Sequence, residues 1–246
     1  MRHINNYCDK LKLPYIKEVA ETEAQSALKN SESYLDFLEN LLRQEVLTKE
    51  GRSIEGKIKK AKFPFIKTKE DFNFKATPSL DISLLNDLFK GDYLNKNQNV
   101  IMLGPSGTGK THLAIALGLV ACKQNQTVLF ETAFHLAQSL REAFESKQLL
   151  PLHKKLMGYQ LLIIDELGYV PFTQKGSEML FEIISQRYEQ KSVIVTSNLP
   201  FEEWTSVFGN DRLTGALLDR LTHHAHILSV NGESYRATSR QTNKES

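Results

Sequence analysis

Residues 99–123 read NVIMLGPSGTGKTHLAIALGLVACK and constrain the fold more than any other stretch. Val100 to Leu103 is an apolar run suited to a buried strand. Gly104, Pro105, Ser106, Gly107, Thr108, Gly109, Lys110 and Thr111 follow it and fit the phosphate-binding pattern G-x-x-x-x-G-K-[ST]. From Thr111 the composition turns helical, with Leu113, Ala114, Leu117 and Ala121 on one face. Strand, glycine loop and helix in that order is the context a phosphate loop requires. The glycines let successive backbone N–H groups curl round an anion. The new helix turns its positive end to the phosphates. Lys110 is expected to reach the β- and γ-phosphates, and the Thr111 hydroxyl to hold Mg²⁺. A glycine-rich turn ahead of an ordinary helix would match this pattern by chance in roughly one chain in a hundred of this length.

Around this loop the pattern alternates between strand and helix. Helices are expected at about 81–90, 110–123, 133–145, 150–157, 176–189 and 211–221. Strands are expected at 100–103, 127–130, 161–164, 192–196 and 226–230. The strands are apolar on both faces, which implies a parallel sheet covered by helices on both sides. Residues 4–50 are different. They carry helical stripes, Leu11, Leu13, Ile16, Val19 and Ala20, then Tyr34, Leu35, Leu38, Leu41 and Leu42, with Glu45 closing the turn. The expected organisation is a small all-α N-terminal domain with its basic segment and linker over 1–70, then an α/β domain over 71–246. Phe63, Phe65, Phe72 and Phe74 in the linker need somewhere to pack, and Pro64 and Pro78 break helices there.

A second group of chemistry-bearing residues closes two of the strands. Leu161 to Ile164 ends in Asp165 and Glu166, at the edge where open α/β sheets bind ligands. Asp165 is expected to hold Mg²⁺ and Glu166 to orient the attacking water. Val193 to Val195 ends in Thr196-Ser197-Asn198, and its strand should lie beside that of Asp165. Asn198 is then within reach of the water or the γ-phosphate. The helix at 211–220 has an arginine near each end. Arg220, or failing it Arg212, is the candidate for neutralising transition-state charge at a neighbouring subunit's site. The alternative for both is pairing with Asp211 and Asp219.

Other features exclude more than they include. The Asn-Lys-x-Asp motif that reads guanine is missing, since Asn95-Lys96-Asn97-Gln98 lacks the acid and precedes the loop; ATP is expected over GTP. His223, His224 and His226 have neither H-E-x-x-H spacing nor a neighbouring cysteine or carboxylate in sequence, so they are expected to be ordinary core or surface residues. With only Cys8 and Cys122, no disulfide framework follows, which suits a reducing cytoplasm. No apolar run suggests a membrane partner or a signal sequence. The net charge of +2 argues for no polyanion by itself. Its distribution does. Lys49, Arg52, Lys57, Lys59, Lys60, Lys62, Lys67 and Lys69 outnumber Glu50 and Glu55, the footprint of a phosphate-backbone contact. No aromatic residue alternates with the lysines, so duplex DNA is expected over stacked single strands, with Lys57, Lys59, Lys60, Lys62 and Lys67 as the contacts. A solvated helix face is the alternative.

The acid pair after one strand and Thr-Ser-Asn after the next resemble AAA+ ATPases. AKFPFIKTKEDFNF, GPSGTGKTHLAIALG, LLIIDELGYVPF, RYEQKSVIVTSNLPFEEW, ALLDRLTHHA and GESYR narrow this to a resemblance to the IstB family, spanning about residue 10 to Arg236. IstB proteins are the helper ATPases encoded beside the transposase in a class of bacterial insertion sequences. The DnaC-type helicase loaders are near relatives. The resemblance implies an AAA+ P-loop NTPase core without a C-terminal lid. It also implies hydrolysis of ATP with Mg²⁺, and a homo-oligomer formed with ATP on duplex DNA that presents the target to a partner transposase. Position by position, it makes Lys110 and Thr111 the phosphate-loop ligands and Asp165 and Glu166 the magnesium and water carboxylates. Asn198 becomes sensor 1 and Arg220 the arginine finger. Arg236 is the candidate for the sensor-2 arginine that a lid would otherwise carry. A helicase loader is the competing reading. A metabolic P-loop kinase ranks below both, because no small-molecule lid is evident and it leaves Asn198 and Arg220 unexplained.

Overall fold

The structure, a computed structural model, describes residues 2–232. The chain divides between Gly56 and Lys57 into two compact units. The first holds helices α1 (Arg2–Leu11), α2 (Pro14–Lys29) and most of α3 (Tyr34–Ala61). Pro14 occupies the first turn of α2, where its missing N–H is no loss. The Glu45 carboxylate, almost fully buried, accepts a hydrogen bond from the backbone N of Ile16 at 2.9 Å and so caps that helix from α3. Of the apolar stripe expected over residues 34–42, only Leu41 is buried. Tyr34, Leu35, Leu38 and Leu42 stay exposed, because a three-helix unit of this size has too little surface to cover them.

The second unit continues with α4 (Ile82–Lys90), α5 (Asp92–Asn95), β1 (Asn99–Leu103), α6 (Lys110–Lys123), β2 (Val128–Thr132), α7 (Ala133–Glu145) and α8 (Leu149–Met157). Then come β3 (Leu161–Leu167), α9 (Gln174–Arg187), β4 (Ser192–Ser197), α10 (Trp204–Phe208), α11 (Asp211–Thr222) and β5 (Ala225–Ser229). Side-chain caps start the helices where the sequence offers them. Asp81 accepts from Leu84 N, Thr132 from His135 N, Thr173 from Gly176 N and Asn210 from Leu213 N.

The five strands form one sheet in the order β2-β3-β4-β1-β5, with every neighbouring pair parallel. Parallel strands need crossover helices, and these cover both faces. Val100, Met102, Ile163 and Ile194 face α4, α5 and α6. Ile101, Leu162, Ile164, Val193 and Val195 face α7, α9, α10 and α11. Each fully buried large side chain here contributes roughly 2 kcal/mol of burial free energy. The expected parallel sheet with helices on both faces is what forms.

The division at Gly56/Lys57 precedes the boundary expected near residue 70. Residues 61–74 pack with the sheet domain: Ala61 and Phe72 belong to its core, with Ile58, Phe63 and Phe74 against them. Phe63 lies over Gly118 of α6, where a Cβ would come within 2.8 Å of its ring, and meets Phe130 edge-on at 6.3 Å. The glycine in the middle of α6 is thus the seat of a linker phenylalanine.

Candidate functional site

The loops that follow β1, β3 and β4 meet at one edge of the sheet, and β4 lies between the other two strands. The phosphate loop after β1 needs glycine in at least two places. Gly104 has φ +148°, and a Cβ there would stand 2.2 Å from the Val230 carbonyl oxygen. Gly109 has φ +96°, and a Cβ there would meet the Phe72 ring at 2.6 Å. The backbone then enters α6 at Lys110. Lys110 is mostly buried, and its Nζ donates to the carbonyls of Gly104 at 2.6 Å and Pro105 at 2.7 Å. The ammonium thus folds back over the loop. Tyr169 crosses it from the other side, its hydroxyl donating to Ser106 Oγ at 2.8 Å.

Opposite the loop, β3 carries a bulge. Ile164 pairs with Val195, but the next paired residue on β3 is Leu167, opposite Ser197, so Asp165 and Glu166 together face Thr196. Glu166 sits at φ +60°, a strained conformation for a side chain with a Cβ, of the kind that marks functional sites. Thr196, 1% exposed, holds the bulge together. Its hydroxyl donates to Asp165 Oδ1 at 2.6 Å and accepts from the Glu166 backbone N at 3.0 Å. Ser197 continues the repair by donating to the Leu167 carbonyl at 2.6 Å. The Thr111 hydroxyl lies 3.0 Å from both oxygens of Asp165. Burial pushes the Asp165 carboxyl above its ordinary pKa, opposed by the Thr196 and Thr111 hydroxyls and then by Lys110. A hydroxyl and a buried carboxylate, both oxygen donors, at the start of a phosphate-loop helix suit Mg²⁺.

A cavity of about 500 Å³ opens over these residues. It is lined by the loop from Ser106 to His112, by Glu166 and by Thr196 to Asn198. Asn198 Oδ1 is buried there without a hydrogen-bond partner, an acceptor left for something in the cavity. The far wall is the segment between the two expected domains. Phe72 packs on Gly109 and meets the His112 ring edge-on at 5.2 Å, while His112 Nε2 is hydrogen-bonded to the Thr68 carbonyl at 2.7 Å. Asn73, Ala76 and Thr77 complete that wall. The sequence marks Phe72 as a residue that must pack and Thr196 as part of a polar strand end, but assigns neither to the site; the density of phenylalanines at 63–74 is the signal that the segment docks.

The structure therefore brings Lys110, Thr111, Asp165, Glu166 and Asn198 together. Arg220 is elsewhere. It lies in the last turn of α11, donates to the Ala216 carbonyl at 2.9 Å and stacks its guanidinium 4.7 Å from the centre of the Phe181 ring. It does not line its own chain's cavity, and Arg212 is exposed at the start of α11. Arg236 lies outside the described residues. The basic segment splits as well. Lys59 and Lys60 are exposed on the last turn of α3. Lys57 bonds Asn125. Lys62 pairs with Glu131 at 3.1 Å, and Lys67 lines the phosphate cavity.

Comparison with known proteins agrees with this geometry. The sequence model of the family described as IstB-like ATP binding protein matches residues 6–243. The chain is 38% identical over 245 residues to the ATP-binding protein of insertion sequence IS5376 from Geobacillus stearothermophilus, covering 98% of this chain and 96% of that one. It is 36% identical over 236 residues to the ATP-binding protein of insertion sequence IS21 from Pseudomonas aeruginosa, covering 96% and 89%. Among solved structures, AMPPCP-bound DnaA from Aquifex aeolicus superposes with a TM-score of 0.59 at 20% identity, over 75% of this chain and 57% of that one. That likeness concerns the fold, which is the AAA+ P-loop arrangement.

Proposed function

The chain belongs to the family of IstB-like ATP binding proteins, and from that premise we propose that it is a Mg²⁺-dependent ATPase that assembles on duplex target DNA and recruits or activates a partner transposase. The observation that carries the hydrolytic part is the bulge at Asp165 and Glu166, tied through Thr196 and facing Thr111 across the phosphate loop. A protein that only held ATP would have no use for a second carboxylate kept in a strained backbone at the cavity. The association with transposition rests on the relatives, which are named for insertion sequences.

Thr111 and Asp165 would hold Mg²⁺, which would neutralise phosphate charge. The remaining work falls to the chain's own groups. Backbone N–H groups of the loop bind phosphate oxygens. Lys110, already folded over the loop, exchanges its two carbonyl partners for phosphate oxygens. Glu166 orients the attacking water and draws off its proton. The unpartnered Asn198 oxygen fixes the second proton of that water. For the outer side of the γ-phosphate, the group we assign is Arg220 of a neighbouring subunit.

The shared site has a direct test. Arg220→Ala and Lys110→Ala are each expected to abolish steady-state ATP hydrolysis. In an equal mixture of the two, roughly a quarter of head-to-tail interfaces combine an intact loop with an intact arginine. Phosphate release should return in the mixture to about that fraction of the wild-type rate. A mixture as silent as its parts would remove the shared site.

A further inference from the structure

We propose a zinc site on the surface of the ATPase domain, formed by Glu189, His223 and His224. One ring nitrogen of each histidine and one Glu189 carboxylate oxygen lie within 4.8 Å of one another, the one such grouping among the described residues. The two histidines follow each other at the end of α11. Sequence shows no carboxylate near them, and the fold supplies it from the turn between α9 and β4. Glu189 Oε1 lies 3.6 Å from His224 Nε2 and 4.0 Å from His223 Nδ1. Two donors on a tetrahedral zinc ion, each bonded at about 2.0–2.1 Å, stand roughly 3.4 Å apart. The two carboxylate–imidazole separations exceed this by about 0.2 and 0.6 Å, and exposed side chains close such gaps by rotation.

The backbone under the three ligands is fixed. The His224 carbonyl accepts from Asn99 N of β1 at 2.8 Å, and His223 N closes the last turn of α11 on the Asp219 carbonyl. Glu189, at φ +58° in its turn, has its carbonyl held by the Asn97 side chain at 3.1 Å. The Tyr188 hydroxyl is hydrogen-bonded to His223 Nδ1 at 2.6 Å, and the two histidine rings sit 4.2 Å apart. That nitrogen of His223 is also the one nearest Glu189, so zinc takes it by displacing the tyrosine hydroxyl. Two imidazoles and one carboxylate select a borderline ion such as Zn²⁺ over Mg²⁺ or Ca²⁺, and three protein ligands leave one position for water.

The place of the site gives its consequence. It lies at the edge of the sheet where β4 and β5 begin, opposite the phosphate loop. It joins the α9–β4 turn to the end of α11, the helix that carries Arg220. Zinc there is a staple on that helix, not a part of the ATP chemistry.

The test uses the full chain stripped of metal and titrated with Zn²⁺ against a fluorescent zinc indicator. One equivalent should bind at micromolar Zn²⁺ and raise Tm by about 5 °C at saturation. Co²⁺ in its place should give the visible spectrum of a tetrahedral nitrogen–oxygen site. Glu189→Gln, and the pair His223→Ala with His224→Ala, should weaken binding at least tenfold, while His226→Gln leaves it unchanged. Glu189, His223 and His224 are exposed, so the fold is not at stake, and the Co²⁺ spectrum needs no variant. No bound equivalent in the wild-type chain, or a titration that the double histidine variant leaves intact, overturns the proposal.

Discussion

Glu166→Gln is expected to lower steady-state ATP turnover by about 10²–10³-fold while leaving ATP affinity within about threefold of wild type. The substitution keeps the shape of the side chain and removes only its ability to take a proton from water. It therefore touches an interaction made in the transition state and leaves the ground-state contacts of the phosphate loop alone. A loss of that size corresponds to roughly 3–4 kcal/mol of activation free energy. The geometry explains why no neighbour can substitute. Asp165 is engaged by the Thr111 and Thr196 hydroxyls, and the bulge turns only the next residue into the cavity. Phosphate release and the binding of a fluorescent ATP analogue, measured on the same preparation, separate the two effects. Wild-type turnover in Glu166→Gln would show that another group activates the water. Loss of binding in parallel with turnover would mean that Glu166 contributes to the loop's structure instead.

Arg187→Met is expected to be the most destabilising single change in the ATPase domain away from the ATP site, costing about 3–5 kcal/mol. Arg187 is fully buried at the end of α9. It donates to four backbone carbonyls, from Nη1 to Leu156 at 2.9 Å and Tyr159 at 3.1 Å, and from Nη2 to Gln160 at 3.1 Å and Ser192 at 2.8 Å. Among the described residues no carboxylate pairs with it. Burial pulls its pKa down to about 10, yet the guanidinium stays charged at neutral pH. One planar group thus ties the loop entering β3 to the turn entering β4. Methionine fills most of the volume and leaves the carbonyls unserved. Arg187→Lys keeps the charge, but a single nitrogen cannot span four acceptors in two directions, so about half of the loss should remain. Urea or thermal unfolding measures both, with a drop in Tm of about 10 °C expected for the methionine variant. A change under about 1 kcal/mol would mean that the carbonyls find water once the guanidinium is gone.

The strands were legible because a parallel sheet buries both faces, and five short apolar runs between helical stretches have few other readings. The phosphate loop was legible because its glycines answer a steric demand, seen directly where a Cβ at Gly104 or Gly109 would strike Val230 or Phe72. What escaped depends on contacts between distant segments. The apolar run ends at Ile164, yet β3 continues to Leu167 through a bulge, which an apolar run does not register. Thr196 looks like one more β-branched strand residue until the bulge brings two carboxylates against it. Residues 61–74 read as a linker laid against the next domain, and they contribute to a wall of the cavity because Phe63 and Phe72 find their seats on glycines of α6 and its approach. Arg187 sits in a helix whose charges give no hint of burial. The lysines shared one stretch of sequence, but only Lys59 and Lys60 combine exposure with freedom from the contacts that engage Lys57, Lys62 and Lys67.

The central claim is that ATP at this site drives assembly on duplex DNA. Size-exclusion chromatography with light scattering tests it most directly, using labelled duplex and single-stranded DNA with ATP and without. The expected result is a large species on the duplex that forms only with ATP, survives in Glu166→Gln and weakens when Lys59 and Lys60 are both changed to glutamate. Absence of duplex binding in ATP, or a clear preference for the single strand, would contradict the claim and favour a helicase loader.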